Sequence, residues 1–212
     1  VCDPQDDKCG FLNGTGPCTL ANASLVCRSG ACSGNGLCMP SGGCNTDEDC
    51  PGAAWCNLSI HQCAPKIANG GALPSDPPHA SPTLDGSCSE DAAALVCVSS
   101  TCDPADDKCG FANGHGACDA ALAEIVCRSG ACDPDGQCGY ADGDGPCSQG
   151  DASLVCRSGA CSANGAVCVP PGGCAADSDC GPSEWCDTPA FTCTPKLPNG
   201  TLVPAVPGHE PA

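Results

Sequence analysis

Cysteine spacing constrains this chain more than any other feature. Its 212 residues include 26 cysteines, whereas Leu, Ile, Val and Phe together number only 28. A cysteine share this high is typical of a disulfide scaffold, and so few apolar residues cannot fill a large interior. We therefore expect covalent cross-links, rather than a hydrophobic core, to hold the fold together.

The cysteines fall into two kinds of four-cysteine module. The spacing C-x8-C-x4-C-x5/6-C defines a first-type module, and C-x5-C-x5-C-x6-C defines a second-type module. First-type modules occur at Cys18, Cys27, Cys32, Cys38; Cys88, Cys97, Cys102, Cys109; Cys118, Cys127, Cys132, Cys138; and Cys147, Cys156, Cys161, Cys168. Second-type modules occur at Cys44, Cys50, Cys56, Cys63 and at Cys174, Cys180, Cys186, Cys193. Cys2 and Cys9 match the last two cysteines of a first-type module.

We expect all 26 cysteines to form disulfides. Four cysteines allow three pairings in each module, and the sequence does not choose between them. Disulfides persist in oxidising compartments, so the predicted location is secreted, in the extracellular space or at the cell surface.

Longer segments repeat with the cysteines. The segment CDPQDDKCGFLNGTGPC at 2–18 returns at 102–118 as CDPADDKCGFANGHGAC, and GGCNTDEDCPGAAWCNLSIHQCAPK at 42–66 returns at 172–196. The predicted organisation is a first Cys-rich copy (1–66), a Pro-rich linker (67–87), a second copy with an extra unit of about 29 residues (88–196, the extra unit at 133–161), and a second Pro-rich segment (197–212). We expect the array to continue beyond both ends, and the Pro-rich segments to be extended spacers.

The predicted fold class is a set of small disulfide-rich modules made of short β-hairpins and irregular loops. Asn-Gly and Asp-Gly pairs recur throughout and favour tight hairpin turns. Helix is expected only as single turns, at Glu90–Leu95 and Ala120–Ile125. Because each module needs only its neighbours, we expect an elongated tandem-repeat array.

No motif indicates catalysis, and we expect no enzymatic activity and no cofactor. The sequence lacks a nucleophile elbow, a phosphate-binding loop and a helical metal-binding His pair. It also lacks C-x2-C pairs, which argues against zinc. Aspartates in Gly-rich loops are candidate calcium ligands, although turn formation is the simpler interpretation. We predict no metal site; the acidic residues concerned are Asp3, Asp6, Asp7, Asp47, Glu48, Asp49, Asp103, Asp106, Asp107, Asp133, Asp135, Asp142, Asp144, Asp177 and Asp179.

Other candidate sites are surface features. Four N-x-S/T sequons predict glycosylation at Asn13, Asn22, Asn57 and Asn199. Trp55 and Trp185 precede cysteines, and we expect each indole to pack on a disulfide; the alternative is an exposed recognition surface. Arg28, Arg128 and Arg157 stand in identical CRSG segments, where we expect them to hold the turn or pair with local aspartates; the alternative is an inter-module contact.

In the motifs GGCNTDEDCPGAAWCNLSIHQCAPK, CGYADGDGPC and VCRSGAC, the chain resembles the tandem Cys-rich repeats of large bacterial surface and secreted proteins, of the kind found in myxobacteria and other proteobacteria. The resemblance implies surface exposure, repetition and a structural or adhesive role.

Three functions are compatible with these features. The leading prediction is a structural repeat that forms the shaft of an extracellular fibre or stalk and associates with neighbouring copies. The alternative is an adhesin-like binding array that recognises a protein or glycan on another surface, and a secreted inhibitor is a third. The net charge of −18 disfavours nucleic acid as a partner, and the most apolar stretch, 92–98, is too short to span a membrane.

Overall fold

The computed structural model of the chain describes Cys2, 6–76, His79, 88–164 and 166–205. It is built from six small modules, each closed by two disulfides. Helix and strand segments are short, and the strands pair only as antiparallel hairpins. This architecture confirms the predicted fold class of small disulfide-rich modules in tandem.

All six modules share one cysteine pairing, first to third and second to fourth. The first-type pairs are Cys18–Cys32, Cys27–Cys38, Cys88–Cys102, Cys97–Cys109, Cys118–Cys132, Cys127–Cys138, Cys147–Cys161 and Cys156–Cys168. The second-type pairs are Cys44–Cys56, Cys50–Cys63, Cys174–Cys186 and Cys180–Cys193. The two bonds are interlocked, and in five modules three of the sulfur atoms lie within 4.8 Å of one another.

The interlocked pairing follows from the hairpin that carries the third and fourth cysteines. In a first-type module these two residues face each other across an antiparallel pair, as Cys32 and Cys38 do. Side chains of directly opposed residues emerge on the same face of a hairpin. Both sulfurs therefore point at the segment that holds the first and second cysteines.

Each first-type module begins with a helical segment that ends at its second cysteine. These segments are α1 (Ala23–Val26), α2 (Glu90–Val96), α3 (Ala123–Val126) and α4 (Ala152–Val155). The hairpin strands that follow are β1 (Ala31–Cys32) with β2 (Cys38–Met39) and β5 (Cys102–Asp103) with β6 (Lys108–Cys109); the other two modules have isolated bridges at Cys132–Cys138 and Cys161–Cys168.

Helix α2 is longer than the predicted single turn. Its seven residues begin after Ser89, whose hydroxyl accepts a hydrogen bond from the amide of Ala92. The side chain satisfies one of the amides left open at a helix start, and the alanines that follow favour helix. The three other segments have no side-chain cap and stop at four residues.

Each second-type module has a short 3-10 helix and a four-residue hairpin. The 3-10 helices span Asp47–Asp49 and Asp177–Asp179. The hairpins pair β3 (Ala54–Asn57) with β4 (Gln62–Pro65), and β7 (Glu184–Asp187) with β8 (Thr192–Pro195). Here too the third and fourth cysteines are directly opposed, Cys56 to Cys63 and Cys186 to Cys193.

The buried interior consists largely of sulfur and small apolar groups. Four separate clusters form, and cysteines contribute to every one of them. The cluster around α2 contains Ala93, Val96 and Cys97, all essentially inaccessible to solvent, together with Trp55 and Leu73. No helix in the described part of the chain is long and apolar enough to cross a membrane.

The chain divides into two compact units, 1–110 and 111–212. This division differs from the sequence-based one, which separates the copies by a spacer at 67–87. Residues 67–73 do not form a spacer: Ile67 bridges to Cys97, Ala72 bridges to Lys108, and Leu73 is buried. The module at 88–109 therefore belongs with the preceding second-type module. Residues 77–78, 80–87 and 206–212 of the predicted Pro-rich segments lie outside the described residues.

Candidate functional site: the module junctions

The junctions between modules contain the most specific chemistry of the chain. We call the residues after a module's fourth cysteine its connector. In four connectors, one aromatic or aliphatic residue pairs in parallel with the second cysteine of the next first-type module: Phe11 with Cys27, Ile67 with Cys97, Phe111 with Cys127, and Tyr140 with Cys156.

The hydrogen bonds of the four junctions are nearly identical. The amide of Phe11 donates to the carbonyl of Val26 at 2.7 Å, and its carbonyl accepts from the amide of Arg28 at 3.1 Å. The corresponding first bond is 2.7 Å at Ile67, Phe111 and Tyr140 as well. A module without its connector would leave these backbone groups of the second-cysteine segment unpaired, so the connector is part of the fold of the module that follows it.

A second set of bonds fixes the glycine turn of each connector. The amide of Gly114 donates to the carbonyl of Cys138, and the amide of Cys138 donates back to the carbonyl of His115. The same two-bond pattern ties Gly14 to Cys38, Gly70 to Cys109, and Gly143 to Cys168. All four glycines have φ between 80° and 97°, a region that side chains with a Cβ rarely adopt.

Asn113 extends one connector to a module further along. Its side-chain amide donates to the carbonyls of Leu154 at 2.8 Å and Cys156 at 3.3 Å, in the module after the one that its own connector enters. It also packs against Gly139, where an added Cβ would lie 2.4 Å from the Asn113 side chain. Three successive segments are thus held together at this point.

Arginine fixes the junction between two first-type segments. The guanidinium of Arg28 binds both carboxylate oxygens of Asp6, at 2.6 and 2.7 Å, and its Nε donates to the carbonyls of Cys9 and Gly10. Arg157 binds both oxygens of Asp135, at 2.7 and 2.8 Å, and also contacts the carbonyls of Gln137 and Cys138. Both arginines therefore bind the loop between the third and fourth cysteines of the preceding first-type segment.

In the sequence, an arginine after the second cysteine occurs together with an aspartate in the last loop of the preceding segment. Arg28, Arg128 and Arg157 each follow a first-type segment with an aspartate in its last loop (Asp6, Asp106 and Asp135). The module at 88–109 follows a second-type module and has Val98 at the arginine position. The two loops that precede second-type modules contain Ser-x-Asn-Gly without an acid, at 33–36 and 162–165.

The acid-free loops make different contacts. The amide of Gly34 donates to Asp49 at 3.0 Å, and the Asn45 side chain donates to the carbonyl of Cys38 at 3.1 Å. In the second copy the Asn164 side chain donates to the hydroxyl of Ser178 at 2.6 Å. At these junctions the acid-free loops donate amide hydrogen bonds to side chains of the second-type module or accept from them, whereas the acidic loops bind arginine.

The ion pairs shift the titration of the aspartates. The hydrogen bonds from Arg28 lower the pKa of Asp6 to about 2, and those from Arg157 lower the pKa of Asp135 to about 2. Asp135 in turn raises the pKa of Arg157. A nearby opposite charge and donated hydrogen bonds both favour the ionised carboxylate.

The aspartates considered as calcium ligands have structural partners. Buried Asp133 accepts from the amide of Ala141 and lies 3.6 Å from Arg157. Asp47 and Asp177 each accept from a hairpin amide, that of Cys56 or Cys186, at 2.8 Å. These bonds join segments eight or nine residues apart. Turn bonds are made instead by Asp6, Asp103 and Asp135, each of which accepts from the amide two residues later. Asp3 lies outside the described residues.

Asp49 shows how an aspartate organises a second-type module. It accepts from the amides of Gly34, Asn45 and Thr46. Partial burial raises the pKa of Asp49, but the donated amides outweigh that effect and hold the pKa below its usual value. Asp179 makes the equivalent bonds to the amides of Ala175 and Ala176.

The two tryptophans differ in their surroundings. Trp55 is buried, donates to the carbonyl of Pro65 at 3.2 Å, and packs edge-on against His79 with ring centroids 5.3 Å apart. The His79 side chain is fully buried, and its Nε2 lies 3.3 Å from Asp47. Trp185 is half-buried. Trp55 therefore lies in a local core, as expected, and that core includes a histidine that the cysteine pattern did not indicate.

The sequons lie in different environments. Asn13 and Asn199 are exposed. The Asn22 side chain accepts from the amide of Thr19, and that of Asn57 accepts from the amides of Ser59 and Ile60. Glycosylation stays a prediction at all four positions.

Cys2 and Cys9 are unpaired, in contrast to the expectation that all 26 cysteines form disulfides. They face each other in an antiparallel bridge, as the third and fourth cysteines of the other first-type modules do, and they are exposed. The physical reason is the interlocked pairing, because the third and fourth cysteines of a module never bond to each other.

The junction residues were visible in the sequence without being recognised as a set. The apolar residue and the Asn-Gly or Asp-Gly pair recur in CGFLNG, CGFANG, CGYADG and KIANGG. Aligning the segments after each fourth cysteine would have revealed them.

No protein-family model, curated protein or solved structure matches this chain. The molecule is therefore described by its own repeats: six two-disulfide modules, with connectors that complete the next first-type module. Twelve disulfides indicate an oxidising environment.

Proposed function

We propose that the chain is an extracellular structural protein, secreted or displayed at the cell surface, whose repeats form the shaft of a fibre or stalk. The observation that carries this proposal is the connector. Its backbone is hydrogen-bonded into the module that follows it at four junctions, and at Phe11, Ile67 and Tyr140 both neighbours belong to the same compact unit, so these neighbours are docked rather than joined by free linkers. A shaft that transmits a pulling force along its length requires joints of this kind. The proposal involves no catalytic step.

Two further observations support a structural role. The interlocked disulfides stabilise modules that have almost no apolar core, which suits a protein exposed to changing conditions. The pairing of Arg28 with Asp6, and of Arg157 with Asp135, gives first-type junctions a defined order of neighbours. The resemblance to bacterial surface repeats fits this role, and the proposal includes self-association with neighbouring copies and glycosylation.

Electron microscopy of rotary-shadowed native material tests the proposal. We expect thin filaments or stiff rods, and a preparation that contains only isolated, compact particles would contradict a shaft. A double variant, Asn113→Ala with Arg157→Gln, should give more sharply bent rods because it loosens one junction. Glu124→Gln, an exposed position in the same unit, is the matched control and should leave the curvature unchanged.

A binding array is the second candidate, and a repeated surface feature favours it. A large aliphatic residue stands two positions before the second cysteine of every first-type module, and each is exposed: Leu25 (80%), Leu95 (37%), Ile125 (52%) and Leu154 (53%). Packing within the module does not require a large apolar side chain at an exposed position, whereas repeated contacts with another surface would use it.

Replacing all four residues by serine separates the two functions. The adhesive function predicts loss of attachment to target cells in a flow assay, with the disulfides intact. Leu20→Ser, at an exposed aliphatic residue outside the row, is the control and should attach normally. Unchanged attachment by the fourfold variant would leave only the structural role.

A further inference from the structure

The connector after the last second-type module is formed like the one at 66–74, but it is exposed. The sequence KIANGGALP at 66–74 corresponds to KLPNGTLVP at 196–204. In the first copy this segment holds a first-type module, and in the second copy the apolar side chains of Leu197 and Val203 are exposed.

The first copy shows what such a connector binds. Ile67 exchanges two backbone hydrogen bonds with the segment around Cys97, and Gly70 donates to the carbonyl of Cys109. Leu73 donates to the carbonyl of Asp107, and its side chain is buried in the cluster with Trp55 and Val96. The junction is therefore a continuous polar and apolar interface between a second-type and a first-type module.

The second copy has the same conformation before any partner is present. Gly200 has φ +88°, against +86° at Gly70. The amide of Lys196 donates to Ser183 at 2.9 Å, as that of Lys66 donates to Ala53 at 2.9 Å. Because the turn is already formed, a partner would bind without the cost of ordering it.

The apolar groups of this connector are exposed where their counterparts are covered. Leu197 is 41% exposed, and Val203 is 53% exposed against 7% for the equivalent Leu73. Together with Trp185 and Pro204 they line an open groove of about 230 Å³. Leu202 beside it is 91% exposed. An apolar groove next to a backbone edge is a surface suited to strand addition.

The chemistry of the junction identifies the occupant. All four first-type modules of the chain already hold a connector, at Phe11, Ile67, Phe111 and Tyr140. Another copy of the same chain could bind only by displacing one of its own connectors. The occupant is therefore an additional first-type module.

The residue after the second cysteine narrows the choice further. An arginine at this position binds the acidic loop of the preceding module, and the module held by the connector at 66–74 has Val98 instead. In this junction the cation comes from the connector, because Lys66 Nζ donates to the carbonyl of Ala94 in α2 at 2.8 Å. Lys196 repeats that residue, and its Nζ donates to the carbonyl of Pro182 at 2.9 Å in its own module. We infer that on docking this ammonium turns to the helical segment of the occupant, as Lys66 does, so the occupant should have an aliphatic side chain rather than arginine at this position.

We propose that residues 196–204, with Trp185, form a docking surface for an additional first-type module that has an aliphatic residue after its second cysteine. This proposal rests on the structural role proposed above and names the partner of one joint. Binding would place a helical segment over Leu197 and the fourth cysteine of the module beside Gly200.

The test extends the full chain by a duplicate of residues 83–109 after Ala212. Residue 212 corresponds to residue 82 at the repeat offset of 130, so the register of the first copy is kept. Hydrogen exchange is measured at the amides of Leu197 and Gly200, with Ile67 and Gly70 as internal references. We expect exchange at both amides to slow by about tenfold or more relative to the unextended chain.

Two matched chains test the specificity. An extension made from residues 113–138, which has Arg128 at the selecting position, should leave the two amides unprotected. Gly200→Ala in the chain extended by 83–109 should abolish protection, because the turn needs a positive φ, although no neighbouring atom obstructs a Cβ there.

Three results would contradict the proposed docking surface or its selectivity. If non-reducing mass mapping finds the appended disulfides formed while Leu197 and Gly200 exchange as before, the docking surface is refuted. Failure of the appended module to form its disulfides beside this connector would also refute it, since the same residues fold beside Ile67. Protection by the Arg128 extension would refute the selectivity. All readouts come from single chains in solution, so they are independent of whether the native material forms fibres.

Discussion

At the scale of single residues, charge and backbone conformation decide how modules join and turn. Arginine donates several hydrogen bonds in a fixed plane, so Arg157 can bind a carboxylate and two backbone carbonyls at once. A lysine at the same position would not reproduce this geometry. The specificity of the first-type junction therefore depends on the guanidinium and not only on its charge.

Replacing Arg157 by glutamine should raise the pKa of Asp135 from about 2 towards 3.8, because the hydrogen bonds from the guanidinium are the main reason why that pKa is low. Carboxyl chemical shifts measured by NMR across an acid titration would show the change. The pKa of Asp151, which is lowered by the Ser148 amide, is the internal control and should not move. An unchanged Asp135 titration would contradict the assignment of the ion pair.

The same ion pairs predict the response of the junctions to acid. The pKa of Asp6 and that of Asp135 are lowered in the folded chain, so the ionised carboxylates stabilise it at pH values above about 4. This stabilisation should be lost as the pH falls from about 4 to about 2, with faster exchange of the Arg28 and Arg157 amides. In the Arg157→Gln variant, exchange at the amide of residue 157 should no longer depend on acid in this way, whereas exchange at the amide of Arg28 should keep its acid dependence.

The third residue-scale prediction concerns the turn residue at which one first-type module has serine and another has glycine. Ser100 has φ +55° where the other first-type modules have glycine, for example Gly130 at +68°. Ser100→Gly should stabilise the chain by about 0.5–1 kcal/mol, and Gly130→Ser should destabilise it by a similar amount. Denaturant unfolding under non-reducing conditions measures both variants. No atom obstructs a Cβ at Gly130, so a sign other than the one predicted would mean that strain does not govern this turn.

At the scale of elements, a few side-chain hydrogen bonds to the backbone replace the long helices and sheets of larger folds. The 3-10 helix at Asp47–Asp49 illustrates this, because Asp49 accepts from three backbone amides around it. These amides have no other partner within so short an element.

Asp49→Ala should destabilise the second-type module by about 1–3 kcal/mol, because partly buried amides lose their acceptor. Exchange at the amides of Asn45 and Thr46, together with the unfolding free energy, provides the measurement. The neighbouring Glu48→Ala variant removes the same charge without these bonds and should stay within about 0.5 kcal/mol of the parent chain. Equal effects of the two substitutions would assign the stability to charge rather than to hydrogen bonding.

At the scale of the whole molecule, stability is divided among modules. The buried clusters are separate, and each has its own disulfides. The loss of one cross-link should therefore be felt locally, in contrast to a protein with one shared core.

Removal of the Cys156–Cys168 bond by alanine at both positions tests this division. It opens a loop with a sequence separation of 12, and such a loop closure contributes roughly 3 kcal/mol. Amides of the module, such as that of Arg157, should exchange faster, while those of Ile67 and Cys109 in the other unit should not change. Simultaneous loss of protection in both units would show that the chain unfolds as one body.

The sequence alone determined the number, type and order of the modules, because disulfide spacing and turn residues act over a few positions. It also indicated that Trp55 packs internally and that several of the aspartates form turns. It did not determine the cysteine pairing, since three pairings per module satisfy the same spacing. Only the tertiary structure showed that directly opposed cysteines in a hairpin reach past each other to the first and second cysteines.

The role of the connectors was also decided only by the tertiary structure. A Pro-rich composition at 67–87 predicts a spacer, whereas Ile67 and Leu73 are fixed by hydrogen bonds to residues about 30 positions later. The pairing of Arg28 with Asp6 is non-local in the same way. A local sequence pattern indicates which structure a segment can form by itself. The contacts that fix the order of the modules are non-local, so the sequence of one segment does not reveal which distant segment it binds.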